Sequence, residues 1–454
     1  MTTTLRLATV LSALMLAAPL AAQTPPAGEG AGDTATAQGD KSAPNNGRTI
    51  TIQHLRPNDQ RGINVFETPK EPGAEYTGFK VDFGAAFTSQ VQSLKHENTA
   101  VPVMVNGVNT NELADIGFGF NNSTANVYLH AQLAQGVRVQ LTSYLSSRHH
   151  NESWVKDGYI LVDELPVDVG ALNNLMKYLT LKVGHFEINY GDAHFRRSDN
   201  GNAMFNPFVG NYLMDAFTTE IGGEVYVRAK GIIAMGSITG GEIRGTVLTP
   251  AKRGPTYIGK LGFDRNVQPN LRVRMTGSIY TTDKAMSSTL YGGDRAGSRY
   301  YYVMENTAAT ESAQFTSGLI NPGFRNEVTA VQFNPFVKFH GLEFFGVVER
   351  AEGRALTEAA DRTWNQYAAD VVYRFFPREQ VYAGVRYNRA EGVLAGITNE
   401  VGADRWQLAG GWFVTPNVLM KGEYVTQEYN GFPDTNIRSG GKFHGVILEG
   451  VVAF

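Results

Sequence analysis

Two adjacent arginines, Arg196 and Arg197, stand in the stretch YGDAHFRRSDNGNAMFNPFVGNYLMDAF, residues 190–217, with Asp192 and Asp199 close on either side. A guanidinium stays charged and presents a planar fork of donors that matches a phosphate or a carboxylate. The pair therefore has two readings: a selector of anions, or a tie salt-bridged to its neighbouring acids. His185, Glu187, Asp192 and His194 are ligand types at short spacing, but isolated histidines serve more often as hydrogen-bonding groups, and no metal is assigned. His149-His150 falls at a loop tip. No Ser/His or Asp/His grouping stands out that would activate a nucleophile. No covalent step and no cofactor are expected.

The elements that must position these residues are strands. In FKVDFGAAFTSQVQS, residues 79–93, Phe79, Val81, Phe83, Ala85, Phe87 and Val91 fall on one face, and Lys80, Asp82, Thr88, Gln90 and Gln92 on the other. Successive side chains of a strand point to opposite faces, so this segment has one greasy surface and one wet one. The pattern recurs down the chain in adjoining pairs, joined at turn formers such as Gln135-Gly136, Pro269-Asn270 and Thr415-Pro416-Asn417.

The spacing predicts sixteen strands, near 79–94, 125–134, 137–147, 153–164, 178–190, 218–229, 231–248 and 256–264, then 271–281, 328–340, 342–350, 364–376, 380–389, 403–414, 418–428 and 442–454. Joins after even-numbered strands are mostly short and those after odd-numbered strands mostly long and polar. That is the layout of an all-β transmembrane antiparallel barrel, with short periplasmic turns and long extracellular loops. Segments of about ten residues have the length a tilted strand needs to cross a bilayer. The wet face is too charged for a dry core. Slipping the strand that holds Arg272 and Arg274 by one residue would put both into lipid, at roughly 2–4 kcal/mol each near the midplane.

The rest of the chain fits an exported protein. Residues 1–22 have the layout of a signal peptide: Arg6, an apolar run from Leu7 to Ala18, and a small-residue end. Residues 23–48 hold no aromatic side chain and read as disordered linker, residues 49–78 as a periplasmic lead-in, and residues 79–454 as the barrel. With no cysteine, no disulfide supports it, and a formal charge of −3 with no basic tract argues against nucleic acid. The last strand carries Val446, Leu448, Val452 and Phe454 outward and Glu449 inward. Its aromatic end resembles the signal that barrel assembly machinery reads, which gives Phe454 that expected role.

A sixteen-stranded barrel is too wide for wall side chains to fill and encloses a channel. The long third loop, residues 190–217, is expected to narrow it, with Phe195, Phe205 and Phe208 packing it against an inner wall. Strand parity turns Lys80, Arg138, Lys260, Arg272, Arg274, Lys338, Arg374, Arg386, Arg405 and Lys421 inward, opposed by Asp82, Glu343, Asp370, Glu423 and Glu449.

YLTLKVGHFEINYGD, residues 178–192, resembles the strand before the constriction loop of the phosphate-selective porins O and P. Gly184, Phe186, Tyr190 and Gly191 match, and Glu187 and Asn189 depart from the pattern. The resemblance implies a trimeric channel whose third loop carries anion-selecting basic residues, here Arg196 and Arg197; Arg138, Arg272, Arg274 and Arg386 would extend a positive wall. The expected function is a porin in the outer membrane of a Gram-negative cell, contacting lipid and passing small hydrophilic or anionic solutes. The alternatives are an adhesin or structural barrel that acts through its surface loops, and a rim-sited hydrolase. The tyrosine run Tyr300-Tyr301-Tyr302, after Ser298 and Arg299, either binds a carbohydrate or partner or packs on itself at the rim.

Overall fold

A computed structural model describes residues 52, 54–68, 76–147, 153–293, 299–311 and 316–454. The leader, the linker, His149-His150 and Ser298 lie outside the described residues. Among these residues sixteen long strands form one closed antiparallel sheet. The first eight are β1 (Lys80–Glu97), β2 (Thr124–Ala134), β3 (Val137–Ser146), β4 (Ser153–Val162), β5 (Leu179–Glu187), β6 (Thr219–Ala229), β7 (Ile232–Thr239) and β8 (Thr256–Gln268). The second eight are β9 (Leu271–Thr282), β10 (Glu327–Phe339), β11 (Leu342–Arg354), β12 (Arg362–Phe375), β13 (Val381–Gly392), β14 (Val401–Thr415), β15 (Val418–Asn430) and β16 (Lys442–Ala453). Each pairs with its neighbour in the chain, and β1 closes on β16 from Ala86 opposite Ala453 to Glu97 opposite Lys442. Phe454 completes the seam by exchanging two backbone hydrogen bonds with Ala85, at 2.9 and 3.0 Å. A closed sheet leaves no edge of unpaired amides.

Alternation decides which way the side chains face. Phe83 is 60% exposed and Leu261 67%, whereas Arg274, Glu343, Arg386, Lys421 and Glu449 are buried on the inner side. Fifteen of the strands match their expected positions closely. The seventh, expected over 231–248, stops at Thr239. Gly241 follows at φ +72°, and a Cβ there would lie 2.4 Å from Thr256 Oγ1, so the chain turns away where only glycine fits. The β4–β5 connection is longer than a tight turn and holds one short helix, α1 (Ala171–Met176).

The inner face is not simply wet. On β10 and β11, Phe336, Phe345 and Val347 point inward and pack with Phe66 and Tyr212. These strands alternate poorly in sequence because both of their faces meet apolar partners. Three segments fold into the barrel and cover much of the wall. They are residues 54–68, residues 188–218 (the third loop), and the described parts of the β9–β10 connection. The tyrosine run belongs to the last: Tyr300 donates to Glu423 at 2.7 Å from inside, and so does not form an outer rim.

Candidate solute passage

The third loop turns inward at Gly191 (φ +67°), where a Cβ would collide with Gln332 Oε1 at 1.9 Å. Asp192 follows and fixes the turn. It accepts both arms of Arg274 at 2.8 Å, Thr276 Oγ1 at 2.7 Å and Lys260 at 3.0 Å. Burial alone would push the Asp192 carboxyl up, but Arg274 and Lys260 outweigh it and hold it well below the ordinary range. Farther along, Arg197 ties the two limbs of the loop together through a bidentate pair with Asp215, at 2.9 and 2.6 Å. Its guanidinium also lies 3.9 Å from the Phe217 ring centre. Phe208 sits fully buried under Arg386, 4.2 Å from the guanidinium carbon. Lys421 donates to three loop carbonyls, of Ala203, Asn206 and Phe208. Phe195 and Phe205 also meet the lead-in: Phe195 packs edge-on to Phe66 and clusters with Phe336 and Phe345 of the wall, and Phe205 lies 3.7 Å beneath Arg56 and clusters with Ala86 and Tyr128.

The lead-in binds the loop and wall by polar contacts. Asn64 accepts from Arg196 and donates to Glu343 at 2.5 Å, and Glu67 takes Arg274 at 2.7 Å and Asn189 at 2.9 Å. Burial would raise the Glu67 carboxyl, but Arg274 and Lys260 bring it down to about 2; Asp192 opposes them, with Tyr226 and Arg228 nearby. A carboxyl lowered on folding stabilises above its ordinary value, near 4.5, and loses that contribution as pH falls through about 2. The stability gap between wild type and Glu67→Gln is therefore expected to be full at neutral pH and to close near pH 2 in urea titrations. A gap that closed by pH 5 would contradict this clamp.

Each of the six arginines assigned to anion selection by sequence has a carboxylate close by. Arg138 meets Asp163 at 2.8 Å, Arg196 meets Glu343 at 3.5 Å, and Arg197 meets Asp215. Arg272 pairs with Asp264, Arg274 with Asp192 and Glu67, and Arg386 with Asp370. Arg196 and Arg197 diverge, one toward the lead-in and one toward the loop base. Of His185, Glu187, Asp192 and His194, the structure joins Glu187 to His194, whose Nδ1 lies 2.7 Å away, whereas His185 contacts Thr219 at 2.9 Å and Asp192 is held by Arg274 and Lys260.

A cleft of about 270 Å³ lies between the lead-in, the third loop and the wall of β2–β6. Of the six arginines only Arg138 and Arg197 border it. The others on its lining, Arg56, Lys156, Lys182 and Arg228, escaped sequence reasoning. Arg228 shares the inward parity of Glu224 and Tyr226, and that signal was legible; nothing in the lead-in marks Arg56. The lining thus holds six cations and four acids (Glu67, Asp157, Glu187 and Asp199), while Arg138, Arg197 and Lys182 are paired to Asp163, Asp215 and Glu224 just off it. Lys156 lies 2.5 Å from Glu187 and 2.6 Å from Asp199. Arg56 and Arg228 have no carboxylate within 4.0 Å among the described residues; their partners are oxygens of Gly62, Phe195, Thr68 and Thr180. Burial lowers Arg56 to about 9, with Glu187 offsetting part of the effect, so it keeps its charge at neutral pH.

No family model matches this sequence, and no curated protein matches it either. Solved structures do. The anion-selective porin from Comamonas acidovorans superposes with a TM-score of 0.52 at 11% identity, covering 83% of this chain and 100% of that one. The fold is a porin barrel. OprB of Pseudomonas putida gives 0.49 at 11% identity over 82% and 94% of the two chains, and OmpT of Vibrio cholerae 0.48 at 9% over 84% and 99%. At these identities the likeness extends to the fold alone. Of the resemblance to the phosphate-selective porins, the porin fold is what stands.

Proposed function

We propose that this chain is an outer-membrane porin that passes small hydrophilic anions by diffusion through the β2–β6 cleft. The observation that carries the reading is the pair Arg56 and Arg228, half-buried cations on the cleft with no carboxylate within 4.0 Å among the described residues. Paired charges cancel at short range, whereas unneutralised ones raise the local concentration of the opposite ion in a narrow, low-dielectric passage. The phosphate-like solute is the extreme of this class, since a guanidinium fork suits its oxygens. In planar bilayers, discrete conductance steps with a reversal potential on the anion side are the expected result. Clear cation preference would exclude the proposal.

The membrane location has its own check. Leu261 faces outward in β8 beside Phe263 and Tyr257. Leu261→Arg is expected to cost about 2–4 kcal/mol if the position lies near the bilayer midplane, read as lost folding yield in lipid vesicles. An unchanged yield would place that face outside lipid. One observation favours a second reading: the filled lumen suits a plugged barrel that acts through its surface loops. Silence in bilayers from a correctly folded protein would favour it.

A further inference from the structure

The lead-in does more than border the cleft. Its short helical turn, Gln60–Gly62, rests on the far wall. Gln60 N donates to Pro416 O in the β14–β15 turn, and its side chain donates to Arg378 O in the β12–β13 turn, both at 2.8 Å. Eight residues later, Thr68 O accepts from Arg228, which stands at the end of β6 beside the β6–β7 turn. Those two turns, β14–β15 and β6–β7, are eight strands apart in a ring of sixteen, so they face each other across the mouth. Eight residues reach at most about 26–29 Å when extended. The segment therefore crosses the short-turn mouth as a strap, directly below the third loop.

How the strap is held differs from how the loop is held. None of its residues joins the barrel ladder. Its ties are side-chain contacts at Asn64 and Glu67, an arginine stacked on Phe205, a few turn hydrogen bonds, and Phe66 wedged between Phe195 and Phe336. Such a segment can leave as a unit without breaking a strand pairing, and the ring itself stays closed through β1 and β16. Beneath it lie Arg272, Arg274, Arg196 and Glu343, inner-wall and loop charges that its departure would hydrate.

We propose that residues 54–68 form a displaceable plug that sets the open area of the short-turn mouth. The proposal rests on the channel reading above. The plug contributes one cation and one acid to the cleft, Arg56 and Glu67. Its removal widens the passage without reversing the sign of its charge.

The test replaces residues 54–68 with a Gly/Ser linker of equal length in the full chain, with folding checked by heat-modifiable gel mobility. Single-channel conductance in potassium chloride is expected to rise several-fold, with the reversal potential keeping its sign. Should the replacement fail to fold, Gln60→Cys with Arg378→Cys serves instead. The chain has no cysteine of its own, so one engineered disulfide pins the strap. Oxidised channels are then expected to hold one small conductance, and reduced ones to show larger openings when Asn64→Ala and Glu67→Gln weaken the ties. A conducting wild type with unchanged conductance in the folded linker variant, or in both redox states of the cysteine variant, overturns the plug and leaves the channel standing. Silence of wild type and folded linker variant alike overturns both. A silent wild type beside a conducting linker variant supports a plug that closes the mouth fully.

Discussion

Arg274→Ala is expected to be the most damaging single substitution in the barrel interior, costing about 3–5 kcal/mol, the range found when one partner of a buried ion pair is removed. This guanidinium joins three parts of the molecule: the wall strand β9, the third loop at Asp192, and the strap at Glu67. Removing it leaves two buried carboxylates facing each other with only Lys260 to share. The desolvation cost of those two acids is then offset by one cation instead of two. The measurement is the urea midpoint in lipid vesicles, with Arg389→Ala as reference. Arg389 also touches acids, Glu391 and Asp404, but its side chain is 48% exposed, and such pairs contribute at most about 1 kcal/mol. Equal midpoints for the two variants would show that the inner network does not hold the third loop.

Arg56→Glu combined with Arg228→Glu is expected to turn the passage from anion-preferring to cation-preferring. The substitutions remove two cations that have no carboxylate within 4.0 Å among the described residues and put two acids in their place on the cleft. Charge in a narrow lumen acts on ions within roughly a Debye length, about 10 Å at 0.1 M salt and 3 Å at 1 M. The reversal potential should therefore change sign in a dilute gradient and respond weakly in concentrated salt. Arg386→Gln serves as contrast. That residue is paired to Asp370 at 2.6 and 2.8 Å and lies off the cleft, so its removal should leave selectivity on the anion side. A sign unchanged by the double substitution would move the selectivity away from Arg56 and Arg228.

How much of this was legible in the sequence differs sharply between wall and interior. Alternation in FKVDFGAAFTSQVQS names Phe83 as outward and Asp82 as inward without reference to any other part of the chain, because the two-residue period is a property of the strand itself. The same local rule sets the inward direction of Arg138, Arg272, Arg274 and Arg386. It also fixes how the last strand must lie for Phe454 to meet Ala85. The rule fails at β10 and β11, where Phe336 and Phe345 face inward because a distant Phe66 packs on them.

The sequence by itself determined a closed ring of sixteen strands and the charged character of its inner face. Tertiary structure alone decided which of those charges are cancelled. Arg274 finds Asp192 82 residues back in the chain, Arg196 finds Asn64 across 132, and Lys421 finds the Ala203 carbonyl across 218. Direction along a strand follows from covalent geometry and repeats every second residue. Pairing between an arginine and an acid depends on how three loose segments pack inside a cylinder, and no period in the chain encodes that meeting.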